Sequence, residues 1–257
     1  MPRHLKRRQR RPWSLILIVV VLFGVIGFTI TQGSDWIDAS FATKRSSAKP
    51  TAKAQPQKKV NQVMLDVPLI NQMTAPSLYN GCEVTSLAMM MNYDHINVTK
   101  NQLADQLTSV PITYDNGQHG NPNYGFVGDI NGNDPGLGVY HGPIYKVAKT
   151  QTSHVKDLTG ASFDDVVKQL EAGRPVWTIT TVAFAPVSSM ENWQTPQGPV
   201  KVTYDVHSVV IVGFNRAKQK IYINNPYGEK QQAVDWQNFQ AAYKQMGQQA
   251  IVLTLKH

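Results

Sequence analysis

The chain has one cysteine in 257 residues, Cys82. A single thiol cannot form a disulfide within the chain, so no disulfide framework holds this fold together. A lone cysteine is either a small buried hydrophobic residue or a reactive group, and the pattern of the residues around it indicates which of the two applies.

Acidic residues are scarce in the first 60 positions, which hold 12 of the 25 Lys and Arg residues but only two of the 17 acidic ones, Asp35 and Asp38. The formal net charge of this segment is therefore +10. The other 13 basic and 15 acidic residues give positions 61–257 a net charge of −2. The part of the chain that is long enough to fold is not basic, which argues against a nucleic acid partner.

Charged residues are absent from positions 14–31, which read SLILIVVVLFGVIGFTIT. A helix of about 18 apolar residues approaches the thickness of a bilayer core. The basic cluster from Arg3 to Arg11 precedes this run, and such clusters stay in the cytoplasm. We therefore predict a basic cytoplasmic tail at 1–13, a transmembrane signal anchor at 14–32 and an extracellular location for everything that follows.

Large apolar residues are also scarce between positions 43 and 62, where Val60 is the exception in a segment rich in Lys, Ala, Gln, Pro and Ser. Such a composition cannot bury enough surface to fold. We predict an extracellular linker at 33–62, which would carry a domain at 63–257 away from the cell membrane and towards a cell wall. A cleaved signal peptide is the alternative to an anchor, although the small-residue site at 40–42 lies about 11 residues beyond the apolar run.

A buried helix is predicted to begin at Cys82. In CEVTSLAMMM, the residues Val84, Leu87, Ala88 and Met91 recur at the spacing of one helical face. A thiol in the first turn of a helix meets unpaired N–H groups and the positive end of the macrodipole, which lower its pKa. This placement favours a nucleophilic thiolate at Cys82 over a packing role.

The fold class follows from the order of the remaining patterns. Thr99 with Gln102 and Ser162 with Asp165 resemble helix caps, for helices through Leu107 and up to Gly173. Strand-like runs follow at 175–180, 201–214, 220–224 and 249–255, with a helix at 235–246. Helices that precede a mainly antiparallel sheet predict an α+β fold in which the Cys82 helix packs on the sheet.

His207 is the candidate general base, because it is the one of seven histidines that lies in a strong strand pattern, TYDVHSVVIVGF. Asn225 follows the strand pattern KIYIN directly before Pro226, where an adjacent strand would present its amide to the imidazole, while Asn224 would point to the other face. The order Cys, His, Asn is that of papain-like enzymes. Asp205, two residues before His207, is an alternative partner for the ring.

Gln72, in VPLINQ, lies ten residues before Cys82. Its side-chain amide is close enough to donate to an oxyanion beside the Cys82 backbone N–H, a contribution worth roughly 3–4 kcal/mol of the barrier. An exposed loop amide is the equally open alternative for this residue.

Seven segments resemble motifs of the C39-like cysteine peptidases, in the exported, stand-alone branch of that family: VPLINQ, NGCEVTSLAMMMNY, GNPNYGFVGDI, GVYHGPIYKVAK, GRPVW, WQTPQGPVKVTYDVHSVVIVGFN and YINNPYG. The resemblance extends from about Val63 to Leu255. It implies a papain-like fold, with Cys82 as nucleophile, His207 as general base and acid, and Gln72 in the oxyanion hole. The family usually has Asp where this chain has Asn225, which can hold an imidazole ring but cannot stabilise its cation by charge.

These features predict a membrane-anchored extracellular cysteine peptidase, a thiol protease that hydrolyses peptide bonds of a peptide or protein substrate without a metal or organic cofactor. Two other functions stay open: hydrolysis of cell-wall peptides, which export and the linker favour, and a catalytically silent peptide-binding module, which Asn225 and the tether favour. The long segment 108–141 is predicted to be a binding loop, and His141 at its end either borders the cleft or has a structural role.

Overall fold

The structure, a computed structural model, describes residues 60–255. The predicted tail at 1–13 and anchor at 14–32 lie outside these residues, and so does the predicted linker except for its last three positions. Among the described residues, no helix combines the length and the apolar composition needed to span a bilayer. Val60, the first described residue, already contacts the domain, because its carbonyl accepts a hydrogen bond from the Arg216 side chain.

Helices and strands alternate along the described residues, so the predicted order, with the helices before the sheet, holds only in part: β1 precedes α1, and four short strands lie between α2 and α4. The helices are α1 Cys82–Tyr93, α2 Lys100–Ala104, α3 His141–Gln151, α4 Phe163–Glu171 and α5 Trp236–Gln245. The strands are β1 Gln62–Met64, β2 Ser109–Val110, β3 Phe126–Gly128, β4 Gly136–Gly138, β5 Val155–Asp157, β6 Val176–Thr181, β7 Glu191–Thr195, β8 Gly198–Val202, β9 Val206–Asn215, β10 Lys220–Asn225, β11 Glu229–Asp235 and β12 Ala250–Leu253. The α+β prediction is confirmed.

One antiparallel sheet of seven strands organises the fold. Its strand order is β11-β10-β9-β6-β12-β5, and β1 also pairs with β9. Every pairing in this sheet is antiparallel, whereas β2 and β3 of a smaller three-stranded sheet are parallel. Strand β9 lies between β6 and β10 and also contacts α1. Residues of these three elements therefore lie next to β9.

Helix α1 is buried on all sides, and its residues from Cys82 to Met91 are all inaccessible to solvent or nearly so. Val210 and Val212 of β9 belong to the same core cluster as α1, while Val209 and Ile211 face a second cluster formed with α4 and α5. Each fully buried aliphatic side chain contributes about 1.5–3 kcal/mol. The two cores hold β9 rigidly from both faces of the sheet.

The predicted helix caps are present. The Thr99 hydroxyl accepts from the Gln102 N–H while the Gln102 side chain accepts from the Thr99 N–H, and the Ser162 hydroxyl accepts from the Asp165 N–H. Gly173, just beyond α4, has a φ of +78°, which glycine adopts without strain. The end predicted for the second helix is wrong, because α2 stops at Ala104 rather than Leu107.

Two longer segments differ from their predictions. The run 201–214 is two strands rather than one, because a turn closes where the Val206 N–H donates to the Thr203 carbonyl. The segment 108–141 is not one open loop, since it contains β2, β3 and β4 and ends in the first residue of α3, His141.

Candidate active site

Cys82 is the first residue of α1, and its side chain is buried against β9. The preceding residue, Gly81, forms the N-cap, where a Cβ atom would come within 2.5 Å of the Leu78 Cβ. A backbone hydrogen bond from Ser208 reaches the Cys82 thiol. Since Ser208 directly follows His207 on β9, the strand that carries the candidate base contacts the candidate nucleophile one residue further along, and no hydrogen bond joins His207 Nδ1 to the thiol among the described residues.

His207 and Asn225 lie on neighbouring strands and are hydrogen-bonded: the distance from His207 Nε2 to Asn225 Oδ1 is 3.0 Å. The orientation of the Asn225 amide is fixed independently, because Oδ1 also accepts from the Tyr227 N–H at 3.1 Å and Nδ2 donates to Gln232 Oε1 at 2.9 Å. Asn224 faces the other way, and its Nδ2 donates to the Val67 carbonyl.

This contact also fixes the tautomer of the His207 ring. With Asn225 Oδ1 as acceptor, Nε2 of His207 must carry a proton, so Nδ1 of the neutral ring has a free lone pair. Nδ1 is buried and has no hydrogen-bond partner among the described residues. The ring therefore has a basic nitrogen available for a proton, as general-base chemistry requires.

Tyr227 covers the pair from solvent. Its ring stacks on the His207 ring with a centroid separation of 4.8 Å and an interplanar angle of 9°, while about half of the Tyr227 surface stays exposed. Burial lowers the pKa of His207 to about 4, although its hydrogen bond to Asn225 acts in the opposite direction. The ring is consequently neutral at physiological pH.

Gln72 is buried beneath the loop that leads to Cys82. Its Nε2 donates to the carbonyls of Tyr79 at 2.7 Å and Leu78 at 3.3 Å, and its backbone N–H donates to the Pro226 carbonyl at 2.8 Å. The alternative of an exposed loop amide is thus wrong. The structure shows Gln72 joining the loop before Cys82 to the loop after Asn225, and its oxyanion role stays a prediction.

The ionisation of Cys82 differs from the sequence-based expectation. Burial raises the pKa of the thiol well above its ordinary value, and the negative charge of Glu83 raises it further, while the backbone hydrogen bond from Ser208 lowers it. The expected lowering of the pKa by the helix N-terminus is outweighed, because loss of solvation destabilises the thiolate more than the helix N-terminus stabilises it. In the resting protein the sulfur is a neutral thiol.

Buried polar atoms without partners mark the same region. Among the described residues, five buried side-chain atoms lack a hydrogen bond: Gln72 Oε1, Glu83 Oε2, Thr180 Oγ1, His207 Nδ1 and Ser208 Oγ. Glu83 and Ser208 follow Cys82 and His207 in the chain, and Thr180 pairs with His207 across β6 and β9. Since buried polar atoms without partners are rare in folded proteins, their concentration here indicates a site that binds another molecule.

Two other candidates lie apart from this arrangement. Asp205 is exposed in the turn before β9, and the hydrogen-bond partner of the His207 ring in the described chain is Asn225. His141 pairs with Asp157 through Nδ1 and Oδ2 at 2.7 Å, which joins α3 to β5. This contact supports a structural role for His141.

The sequence-based reasoning overlooked Glu83 and Tyr227. Glu83 interrupts the apolar helix pattern directly after Cys82, and a charged residue inside such a pattern is the signal that would have identified it. Tyr227 follows Asn225 by two positions, but no periodicity in a loop predicts that its ring stacks on a histidine from another strand.

Comparison with known proteins identifies the family of the chain. The family model of the Peptidase C39-like family matches residues 64–251. The uncharacterized protein YvpB of Bacillus subtilis strain 168 is 47% identical over 245 residues, which cover 93% of this chain and 97% of that protein. A crystal structure from Bacillus anthracis, described as a candidate C39-like peptidase, superposes with a TM-score of 0.72 at 41% identity, over 76% of this chain and 98% of that one. Such relatives suggest a peptidase, and the chain belongs to the Peptidase C39-like family.

Proposed function

We propose that this protein is a cysteine peptidase that hydrolyses peptide bonds with Cys82 as nucleophile and His207 as general base and acid. The observation that carries the proposal is the hydrogen bond from His207 to Asn225, which leaves Nδ1 basic on the strand whose next residue contacts the Cys82 thiol. Membership in the family supports the same reaction class.

The reaction begins from a neutral thiol and a neutral imidazole. Nδ1 of His207 takes the proton of Cys82 as the sulfur attacks the carbonyl carbon, because burial disfavours a preformed pair of charges in the resting protein. Asn225 keeps the ring in the required tautomer but adds no negative charge to hold an imidazolium. His207 then returns the proton to the leaving amine, and water hydrolyses the acyl-enzyme with His207 again as base.

The oxyanion of the tetrahedral intermediate would be held by the Cys82 backbone N–H and the Gln72 amide. Both carbonyls that accept from Gln72 belong to residues 78 and 79, in the loop directly before Cys82. One N–H of Gln72 would have to leave its carbonyl, the longer contact to Leu78 first, to donate to substrate.

We expect the purified full-length protein to release peptides from an unfolded protein substrate and the Cys82→Ala variant to release none. Mass spectrometry of the products identifies the bonds cleaved, and purified cell wall, assayed in parallel, would release soluble peptides if the substrate is peptidoglycan. Equal product release by wild type and Cys82→Ala would overturn the proposal, and substrate binding by both without any product would establish the silent binding module.

We also propose that the domain acts outside the cell, held by the anchor at 14–32. The uncharged run at 14–31 and the basic residues before it support this location. In intact cells, a membrane-impermeant thiol reagent should label a cysteine introduced at the exposed position Lys168 in a Cys82→Ala background. Labelling that requires broken cells would place the domain in the cytoplasm instead.

A further inference from the structure

Glu83 is a buried carboxyl group next to the proposed nucleophile, and the reaction described above does not use it. Its side chain is 1% exposed, and no lysine or arginine of the described chain forms an ion pair with it. A carboxylate without a cation is unfavourable in the interior of a protein, so one is kept there only at a cost in stability.

The surroundings hold this carboxyl at a fixed position. Oε1 accepts from the Val139 N–H at 2.9 Å, and the backbone carbonyl of Glu83 accepts from the Trp177 indole at 2.9 Å. Gly138 packs so closely that a Cβ atom there would lie 2.5 Å from Oε1. The carboxyl cannot turn away from Cys82 towards solvent without displacing these neighbours.

The other oxygen, Oε2, has no hydrogen bond of ordinary length among the described residues. The ionisable groups that interact with the carboxyl are Cys82, on the same helix, and Tyr227, whose pKa is raised first by burial and then by the charges of Cys82, Tyr79 and Glu83. From β9, His207 is the titratable group of the site, and it is neutral. No positive charge from these groups therefore offsets the effect of an ionised Glu83 on the sulfur.

We infer that Glu83 is a positioning residue whose charge sets the ionisation of Cys82, an inference that deepens the proposed function and rests on it for its catalytic meaning. As a carboxylate, Glu83 holds the sulfur in its thiol form by like-charge repulsion. As a neutral acid, it removes that repulsion and offers an O–H group on Oε2 to the sulfur anion. Glu83 therefore opposes ionisation of Cys82 where it is charged and no longer does so where it is neutral.

The pH at which Glu83 gains its charge depends on its burial. Burial raises the pKa of Glu83 to about 7, although the hydrogen bond from Val139 and the contact with the Cys82 thiol favour the charged form. Below pH 7 the group is largely neutral and above pH 7 it is largely charged. The charge of Glu83 should therefore oppose ionisation of the thiol above pH 7 and have little effect on it below pH 7.

The test measures alkylation of Cys82 by iodoacetamide in the full-length wild type and in Glu83→Gln, at pH 5 and at pH 8. Gln keeps an oxygen for the Val139 N–H but cannot ionise. We expect the variant to react about tenfold or more faster than wild type at pH 8, since a neighbouring like charge raises a pKa and one pKa unit is a factor of about ten in the thiolate population. At pH 5 the two proteins should react at the same rate.

Glu171→Gln is the matched control, because Glu171, the last residue of α4, pairs with Arg216 away from Cys82, and this variant should leave both rates unchanged. A rate ratio for Glu83→Gln that is the same at both pH values would show a structural role only and overturn the inference. The assay needs no peptide hydrolysis, so failure of the peptidase proposal and failure of this inference are observed separately.

A second measurement does not depend on the variant folding. The full chain contains four glutamates, Glu83, Glu171, Glu191 and Glu229. With ¹³C-labelled glutamate, one side-chain carboxyl signal should titrate near pH 7 in the wild type. If all four signals finish their titration below pH 6, Glu83 is ionised throughout the working range and the inference is wrong.

Discussion

Replacing His207 with Ala should lower kcat/KM for peptide hydrolysis by about 10²–10⁴, the usual contribution of a general acid–base residue. The loss is expected at the upper part of this range, because the Cys82 thiol has a raised pKa and has no preformed thiolate to attack with. Without Nδ1 of His207, the site loses the proposed base that both takes the proton of the thiol and returns it to the leaving amine.

The His207 variant needs a control for folding, since the ring is completely buried. His207→Gln keeps a donor for Asn225 Oδ1 and fills more of the space, yet it provides no basic nitrogen, so it should be as inactive as His207→Ala and more stable. His141→Ala is the matched control, because His141 pairs with the partly exposed Asp157 rather than with a residue of the proposed site. Thermal unfolding and steady-state kinetics on the same preparations separate the two effects.

An inactive His141→Ala beside an active His207→Ala would reverse the roles assigned to the two histidines. A fall in KM without any change in kcat would likewise contradict a role of His207 in chemistry. The expected pattern is a loss in kcat for both His207 variants with the unfolding temperature of the Gln variant close to wild type.

The neutral resting pair gives Asn225 a definite role. An aspartate at this position would stabilise the imidazolium by charge and favour a thiolate beside it. Asn225 instead fixes a tautomer, through an amide that the Tyr227 N–H and Gln232 hold in one orientation. In the proposed reaction this site therefore depends on proton transfer during attack, and the inferred effect of the Glu83 charge acts on how easily that proton leaves.

Much of this arrangement was predictable from local patterns. The helix beginning at Cys82 follows from the spacing of its apolar residues, and the contact of His207 with Asn225 follows from two adjacent strand patterns with Pro226 as the boundary. These predictions succeed because helix and strand periods determine which side chains share a face, and neighbouring strands place such residues side by side.

The parts that the sequence did not predict depend on contacts between distant segments. Helix α3 begins at His141 with Gly and Pro in its first turn, a composition that resembles a loop until packing on β5 and β12 is known. The burial of Glu83 depends on Val139, 56 residues away, and the pKa of Cys82 depends on how completely the domain encloses it. No local period carries this information.

Substituting Gly138 with Ala should have the largest effect on stability. Gly138 has a φ of +136°, which residues with a side chain rarely adopt, and the new Cβ would lie 2.5 Å from Glu83 Oε1. Backbone strain of about 1–2 kcal/mol and overpacking of about 1–3 kcal/mol together predict a loss of about 2–5 kcal/mol in the free energy of unfolding.

Gly160→Ala separates the two contributions, because Gly160 also has a positive φ, +88°, but no atom lies within 4 Å of the position that a Cβ atom would take there. It should lose about 1–2 kcal/mol, the strain alone. The double variant Gly138→Ala/Glu83→Ala removes the oxygen that the new methyl group meets, so urea denaturation should give a favourable coupling energy of about 1–3 kcal/mol in a double-mutant cycle. Additive losses, or a Gly138→Ala protein no less stable than Gly160→Ala, would show that this glycine does not hold the Glu83 carboxyl in place beside Cys82.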